Sequence, residues 1–100
     1  MIKRIVKMTF HPDRVDDFLH IFDASQEKIR HFPGCHHLEL WQCRQPDNIF
    51  FTYSFWESEE QLEEYRHSDL FRQTWSLTKR LFIDRPEAWS VQMIRNAETQ

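Results

Sequence analysis

Residues 2 to 10, IKRIVKMTF, sort onto two sides: Ile2, Val6, Met8 and Phe10 share one with Arg4, and Lys3, Lys7 and Thr9 share the other with Ile5. A period of two marks a half-buried strand. His11-Pro12-Asp13 then punctuates the chain, and proline suits the first turn of a helix, where its missing N–H has no partner to lose. Val15, Phe18, Leu19, Phe22 and Ile29 follow at helical spacing, with Asp16, Asp17, Asp23, Glu27 and Lys28 mostly outside, until Phe32-Pro33-Gly34 ends the helix. Gly34 is the only glycine in the chain, so this turn is where the backbone is expected to need a positive φ or an unusually close approach.

Alternation returns from Cys35 to Cys43, with His36, Leu38 and Leu40 opposed to His37, Glu39 and Trp41. Arg44-Gln45-Pro46-Asp47-Asn48 predicts a turn, and the segment Ile49 to Trp56 beyond it is apolar on both sides, as a central strand covered on two faces would be. Helices of the same chain can cover one face; in a domain this small a second copy must supply the other. Ser58 and Gln61 have capping-box spacing at the start of the next helix, which Leu62 and Tyr65 give a narrow inner stripe. After a break at His67-Ser68-Asp69, with Asp69 placed to recap the chain, Leu70, Phe71, Trp75, Thr78, Leu81 and Phe82 continue at helical spacing. Asp84-Arg85-Pro86 closes that helix, and Trp89, Val91 and Met93 alternate with Ser90 and Gln92 as a last strand. The economical solution is an α+β, ferredoxin-like βαββαβ fold with one four-stranded antiparallel sheet, a single domain over residues 1–95 and a polar tail over 96–100.

Composition narrows the function. A net charge of -3 offers no basic field for phosphate backbones, and Asn48 to Trp56 contains no Lys or Arg, so nucleic acid is not an expected partner. A single glycine leaves no phosphate-cradling loop, which removes nucleotide-binding readings of that type. No apolar run reaches the roughly 20 residues of a membrane span, and Met1-Ile2-Lys3-Arg4 leads straight into the first strand, so neither leader, anchor nor membrane association is expected. Cys35 and Cys43, eight residues apart in one strand, stand roughly 26 Å from each other and cannot form a disulfide; two free thiols point to the cytoplasm. His36 and His37 face opposite sides of their strand and cannot grip one metal, and Glu57, Glu59, Glu60, Glu63 and Glu64 read as a solvated helix face, so no metal site is expected.

Phe32-Pro33-Gly34-Cys35, the polar hairpin, Phe55-Trp56-Glu57-Ser58-Glu59-Glu60, and Tyr65-Arg66-His67-Ser68-Asp69-Leu70-Phe71 together resemble the antibiotic biosynthesis monooxygenase family over about residues 2 to 94. The resemblance implies a dimeric α+β barrel, in which two four-stranded sheets face each other with helices outside. It also implies oxygen-dependent chemistry on electron-rich rings such as quinols or anthrones without a bound cofactor, or oxidative opening of haem. The position of the haem-ligating histidine falls here on Trp75, whose indole has no free lone pair for iron, so haem is not expected. Val6 and Tyr65 stand where haem-degrading members carry Asn and Trp, and Tyr65 and Leu70 stand where quinol-oxidising relatives often carry His.

The resemblance implies Tyr65 and His67 as catalytic candidates, and Tyr53, Phe71 and Trp75 as residues that hold a small aromatic or quinol substrate. Each has a plainer reading beside it. Phe71, Trp75 and Phe82 follow helical spacing and suit core packing; His67 suits a surface or turn-capping position; Tyr53 suits a buried, satisfied tyrosine. The functional reading is thus a cofactor-independent monooxygenase, against a non-catalytic dimeric binding module whose aromatics fill the same space. An isomerase on this scaffold is a third reading, and needs a polar pocket with paired acid and base. An open, partly polar cavity would favour ligand chemistry over the filled module.

Overall fold

The computed structural model describes residues 1–98, which form β1 (Ile2–Thr9), a short 3-10 turn (Pro12–Arg14), α1 (Val15–Arg30), β2 (Cys35–Gln42), β3 (Ile49–Trp56), α2 (Glu59–Arg66), α3 (Asp69–Lys79) and β4 (Glu87–Val91). The sheet runs β2-β3-β1-β4, antiparallel at every pairing, which is the ferredoxin-like α+β arrangement expected from the element order. Helix α1 starts only after the turn containing Pro12, and β4 ends at Val91, so Met93 lies beyond the strand predicted to include it. Leu81 and Phe82 also fall past the end of α3, where Leu81 is nonetheless buried. The tail expected over 96–100 carries no regular structure to residue 98, and its last two residues lie outside the described residues.

The turn after α1 combines both features anticipated for it. Gly34 has φ +92°, and a Cβ there would come within 2.5 Å of the Gln61 Cβ. The Gly34 carbonyl also accepts a hydrogen bond from the Glu57 N–H at 2.8 Å, tying the end of β3 to this turn. The close approach explains why the capping box at α2 is half made. Ser58 Oγ accepts from the Gln61 N–H at 3.2 Å, whereas the Gln61 side chain lies against Gly34 and its buried Oε1 has no hydrogen-bond partner. Helix α3 is capped by Ser68, whose Oγ accepts from the Phe71 N–H at 3.1 Å, and not by Asp69 as its position suggested. The Ser68 backbone is extended, as an N-cap requires, and Asp69 is already the first helical residue.

Register assigns the sheet's faces. Arg4, Val6 and Met8 of β1 lie opposite Ser54, Thr52 and Phe50 of β3, on the side of the helices. Met8, Phe10, Phe50, Phe18, Phe22 and Leu81 form the main core there, and Phe10 stacks on Phe18 with ring centroids 4.2 Å apart. A second, smaller cluster of Cys35, Trp56 and Leu62, with Phe32 and Tyr65 against it, closes the other end. The opposite face carries Ile5, Trp41, Phe51, Tyr53, Phe55, Trp89 and Val91, with Lys3, Lys7, His37, Glu39 and Glu87 among them. Trp41 is 41% exposed and Trp89 46%, too much for residues facing a covered layer. Among the described residues no helix is long and apolar enough to cross a membrane.

Candidate functional site

Small side chains at the middle of the helix-facing layer leave space between the two core clusters. Thr52 and Ser54 lie between Phe50 and Trp56 along β3, with Val6 and Arg4 beside them on β1 and Ala88 beyond on β4. Phe50 and Trp56 are 2% and 1% exposed, so the ends are filled and the centre is open. The resulting cavity holds about 290 Å³. Its core side is Met8, Phe18, Phe22 and Ile29, its far side Trp56 and Leu62, its helical wall Tyr65, Phe71 and Trp75, and its rim Arg66, Pro86 and Glu87.

The helical wall is a continuous run of rings. Tyr65 stacks on Trp56 with centroids 4.8 Å apart, Phe71 meets Tyr65 edge-on at 5.2 Å, and Trp75 lies nearly parallel to Phe71 at 5.7 Å. Such a surface suits a flat apolar ligand, since offset stacking and edge contacts are the favourable arrangements for aromatic rings. Burial, with the nearby Cys35 sulfur second, pushes the Tyr65 phenol far above its ordinary value, so it is a neutral hydroxyl at any physiological pH.

Polar groups line the floor. Trp56 Nε1 donates to Ser54 Oγ at 3.0 Å, satisfying the buried indole. On the helical side, Thr78 Oγ1 donates to the Thr74 carbonyl at 2.8 Å. Arg4 enters from the β1 side, its guanidinium donating to Ser90 Oγ at 3.2 Å. Desolvation, then the neighbouring Arg66 guanidinium, holds Arg4 below the usual arginine value, while Glu59 and Glu63 pull the other way. Arg66 is itself paired with Glu63 at 2.9 Å.

Of the five residues singled out in the sequence, the structure brings three together: Tyr65, Phe71 and Trp75 share one cavity wall. His67 lies outside it. Its side chain is 73% exposed at the C-terminal end of α2, with Nδ1 at 2.9 Å from the Glu63 carbonyl, the turn-capping position that was the plainer reading. Tyr53 also lies outside, on the opposite face of the sheet. Its ring packs on Trp41 at 4.7 Å and on Phe55 at 5.1 Å, because it belongs to the odd-numbered side of β3 while the cavity belongs to the even-numbered side. Arg4, Thr52 and Ser54 were not singled out. Their signal was nevertheless present: a charge on the apolar side of β1, and two small polar residues in a strand otherwise made of Ile49 and aromatic residues. Among the described residues no three His, Cys, Asp or Glu side chains gather closely enough to hold a metal ion.

The family model for antibiotic biosynthesis monooxygenase matches residues 1–75. A crystal structure described as an antibiotic biosynthesis monooxygenase superposes with a TM-score of 0.89 at 18% identity, covering 95% of this chain and 100% of that one. A conserved protein from Methanosarcina mazei Go1 gives 0.86 at 20% identity over 91% of this chain and 90% of its own. Rv0793 from Mycobacterium tuberculosis gives 0.86 at 16% identity over 97% and 98%. At these identities the superpositions establish the fold. No curated protein matches the chain.

Proposed function

The chain belongs to the antibiotic biosynthesis monooxygenase family, and on that premise we propose that it is a cofactor-independent monooxygenase acting on a small aromatic or quinol substrate in the cavity beneath its helices. The observation that carries this reading is the cavity itself: about 290 Å³, walled by Trp56, Tyr65, Phe71 and Trp75 and floored by Arg4, Thr52 and Ser54. A binding module whose aromatics had filled the site would lack that space, and pocket-sized apolar concavities with a few polar groups are the usual form of small-molecule sites.

The chemistry asks little of the protein. A deprotonated, electron-rich ring passes an electron to dioxygen, and the two radicals join as a ring peroxide. Loss of water leaves a carbonyl where a ring methylene stood, so one oxygen atom enters the product and the other leaves as water. All four electrons come from the substrate. The cavity contributes orientation and exclusion of water. Tyr65, Phe71 and Trp75 hold the ring, and the neutral Tyr65 hydroxyl donates to a substrate oxygen. His67 has no part, since it faces solvent.

The working unit in this proposal is a homodimer, two sheets meeting through the aromatic face of Trp41, Phe51, Tyr53 and Phe55. Support comes from the contiguity of that face, whose four aromatic side chains adjoin across β2 and β3 with none of them buried by the chain itself. The free thiols of Cys35 and Cys43 support a reducing, cytoplasmic setting.

Oxygen consumption over a panel of quinols, naphthols and anthrones tests the catalytic reading. At least one substrate should give uptake that falls about tenfold or more in Trp75→Ala and Tyr65→Phe and is unchanged in His67→Ala. Uptake insensitive to both cavity variants would overturn it.

A further inference from the structure

Arg4 is the polar feature of the cavity that packing does not explain. Strand β1 points it to the helix side between Ile2 and Val6, opposite Ser54, where an aliphatic residue would continue the pattern. Arg4 lines the cavity and is partly desolvated, and its guanidinium has only the exposed Ser90 hydroxyl as a side-chain hydrogen-bond partner among the described residues. A guanidinium has five donors and no means of losing its charge in a protein, so donors remain for an anion beside the one spent on Ser90.

The surrounding charges locate where the anion would go. Arg66 stands on the α2 side, already engaged by Glu63 at 2.9 Å. Glu59 and Glu63 act on Arg4 from α2, and Glu87 lies on the β4 rim, where Lys7 approaches it at 3.9 Å. None of these carboxylates forms an ion pair with Arg4 among the described residues. Arg4 therefore lines the same cavity as the rings of Tyr65, Phe71 and Trp75 with no carboxylate paired to it among the described residues.

We infer that the cavity selects a flat aromatic ligand bearing an anionic oxygen, with the oxygen on the Arg4 guanidinium and the ring against Tyr65, Phe71 and Trp75. The inference rests on the monooxygenase reading of the same cavity and gives it a substrate class. It also supplies what that reading lacks. No histidine lines the cavity, but a guanidinium stabilises a ring oxyanion directly and lowers the pH at which a bound phenol ionises, as an opposite charge at contact distance does. The anionic oxygen is either a permanent carboxylate or a phenol that ionises on binding; the contact is the same.

Isothermal titration at pH 7.5 with 2-naphthoate and with the neutral 2-naphthalenemethanol tests the contact. The wild-type protein should bind the carboxylate about tenfold or more tightly than the alcohol, the ratio expected for a charge-assisted pair in a partly dry site. Arg4→Gln should bring the two within about twofold, Arg4→Lys should keep part of the preference, and Arg66→Gln should lose less of it than Arg4→Gln. A second arm follows the absorbance of bound 2-naphthol against pH. A midpoint lower by about one unit or more in wild type than in Arg4→Gln identifies an ionising phenol as the ligand class; a preference for naphthoate without that shift identifies a ring acid. Equal binding of naphthoate and alcohol with no naphthol shift overturns the inference and leaves the cavity as a site for neutral rings. Failure of the wild type to bind either naphthalene overturns both the inference and the reading beneath it.

Discussion

Tyr65 lies over Trp56 with ring centroids 4.8 Å apart and planes 24° from parallel, so one helix residue is both a wall of the cavity and a lid on the smaller core cluster. The two roles separate by substitution. Tyr65→Phe keeps the stack and should leave stability near neutral pH within about 0.5 kcal/mol, whereas Tyr65→Ala should cost about 2–3 kcal/mol through lost aromatic burial. The phenol also makes stability pH-dependent. Its pKa is raised in the folded chain by burial, so between about pH 10, where an unfolded tyrosine ionises, and the higher folded value, the unfolded state holds fewer protons. The Tyr65 contribution is therefore intact below about pH 10 and falls as pH rises above it. Urea unfolding at pH 9 and pH 11 should show that alkaline loss reduced in Tyr65→Phe; an identical loss in both proteins would place the phenol in water.

Ser54 exists to be an acceptor. With Trp56 1% exposed, its indole N–H has no route to water and relies on Ser54 Oγ at 3.0 Å. Ser54→Ala should cost about 1–3 kcal/mol, the penalty of an orphaned buried donor, despite removing a single oxygen. Denaturant midpoints measure it, and a loss under about 0.5 kcal/mol would mean that a water had replaced the hydroxyl.

Gly34→Ala places a Cβ 2.5 Å from that of Gln61 at φ +92°, where the backbone is also strained for any L side chain. Strain and overpacking together should cost about 2–4 kcal/mol. The lesion should appear as a lower midpoint with an unchanged denaturant slope, since the fold itself persists.

Phe55 tests the paired state. It is on the open face, ringed by His37 at 4.7 Å, Tyr53 at 5.1 Å and the Lys3 ammonium at 4.7 Å. Light scattering at micromolar concentration should give about twice 12.4 kDa for the wild type and 12.4 kDa for Phe55→Asp. A wild type that stays at 12.4 kDa would refute the dimer.

Much of the fold was legible because two periods sufficed to read it. Ile49 to Trp56 was bounded as observed, and of the inner positions of α1, Phe18, Phe22 and Ile29 are buried while Val15 and Leu19 are half-buried against the core. The cap of α3 was misread because Ser68 and Asp69 are adjacent and both residue types cap well. The choice is made by where α2 ends, and there the His67 N–H folds back to the Glu63 carbonyl at 3.0 Å, leaving Ser68 extended. Tyr53 and His67 were singled out for their chemistry. Strand parity and helix termination decide where such groups point, and β3 is too apolar on both sides for its parity to reveal which face holds a cavity. Empty space itself has no sequence signature. It arises where Thr52 and Ser54 of β3 and Ala88 of β4 flank Val6 and Arg4 of β1, a coincidence of register that a linear pattern does not display.

The alternation along β3 constrains how this protein can diverge. Thr52 and Ser54 serve one surface, Phe51, Tyr53 and Phe55 the other, so single replacements on either side can be tolerated independently. Deleting or inserting one residue within the strand would instead exchange the two sets, sending three rings toward the cavity and two hydroxyls onto the outer face of the sheet. Variation in chain length is consequently pushed outward to the hairpin between β2 and β3, residues 43–48, where an added residue shifts neither surface.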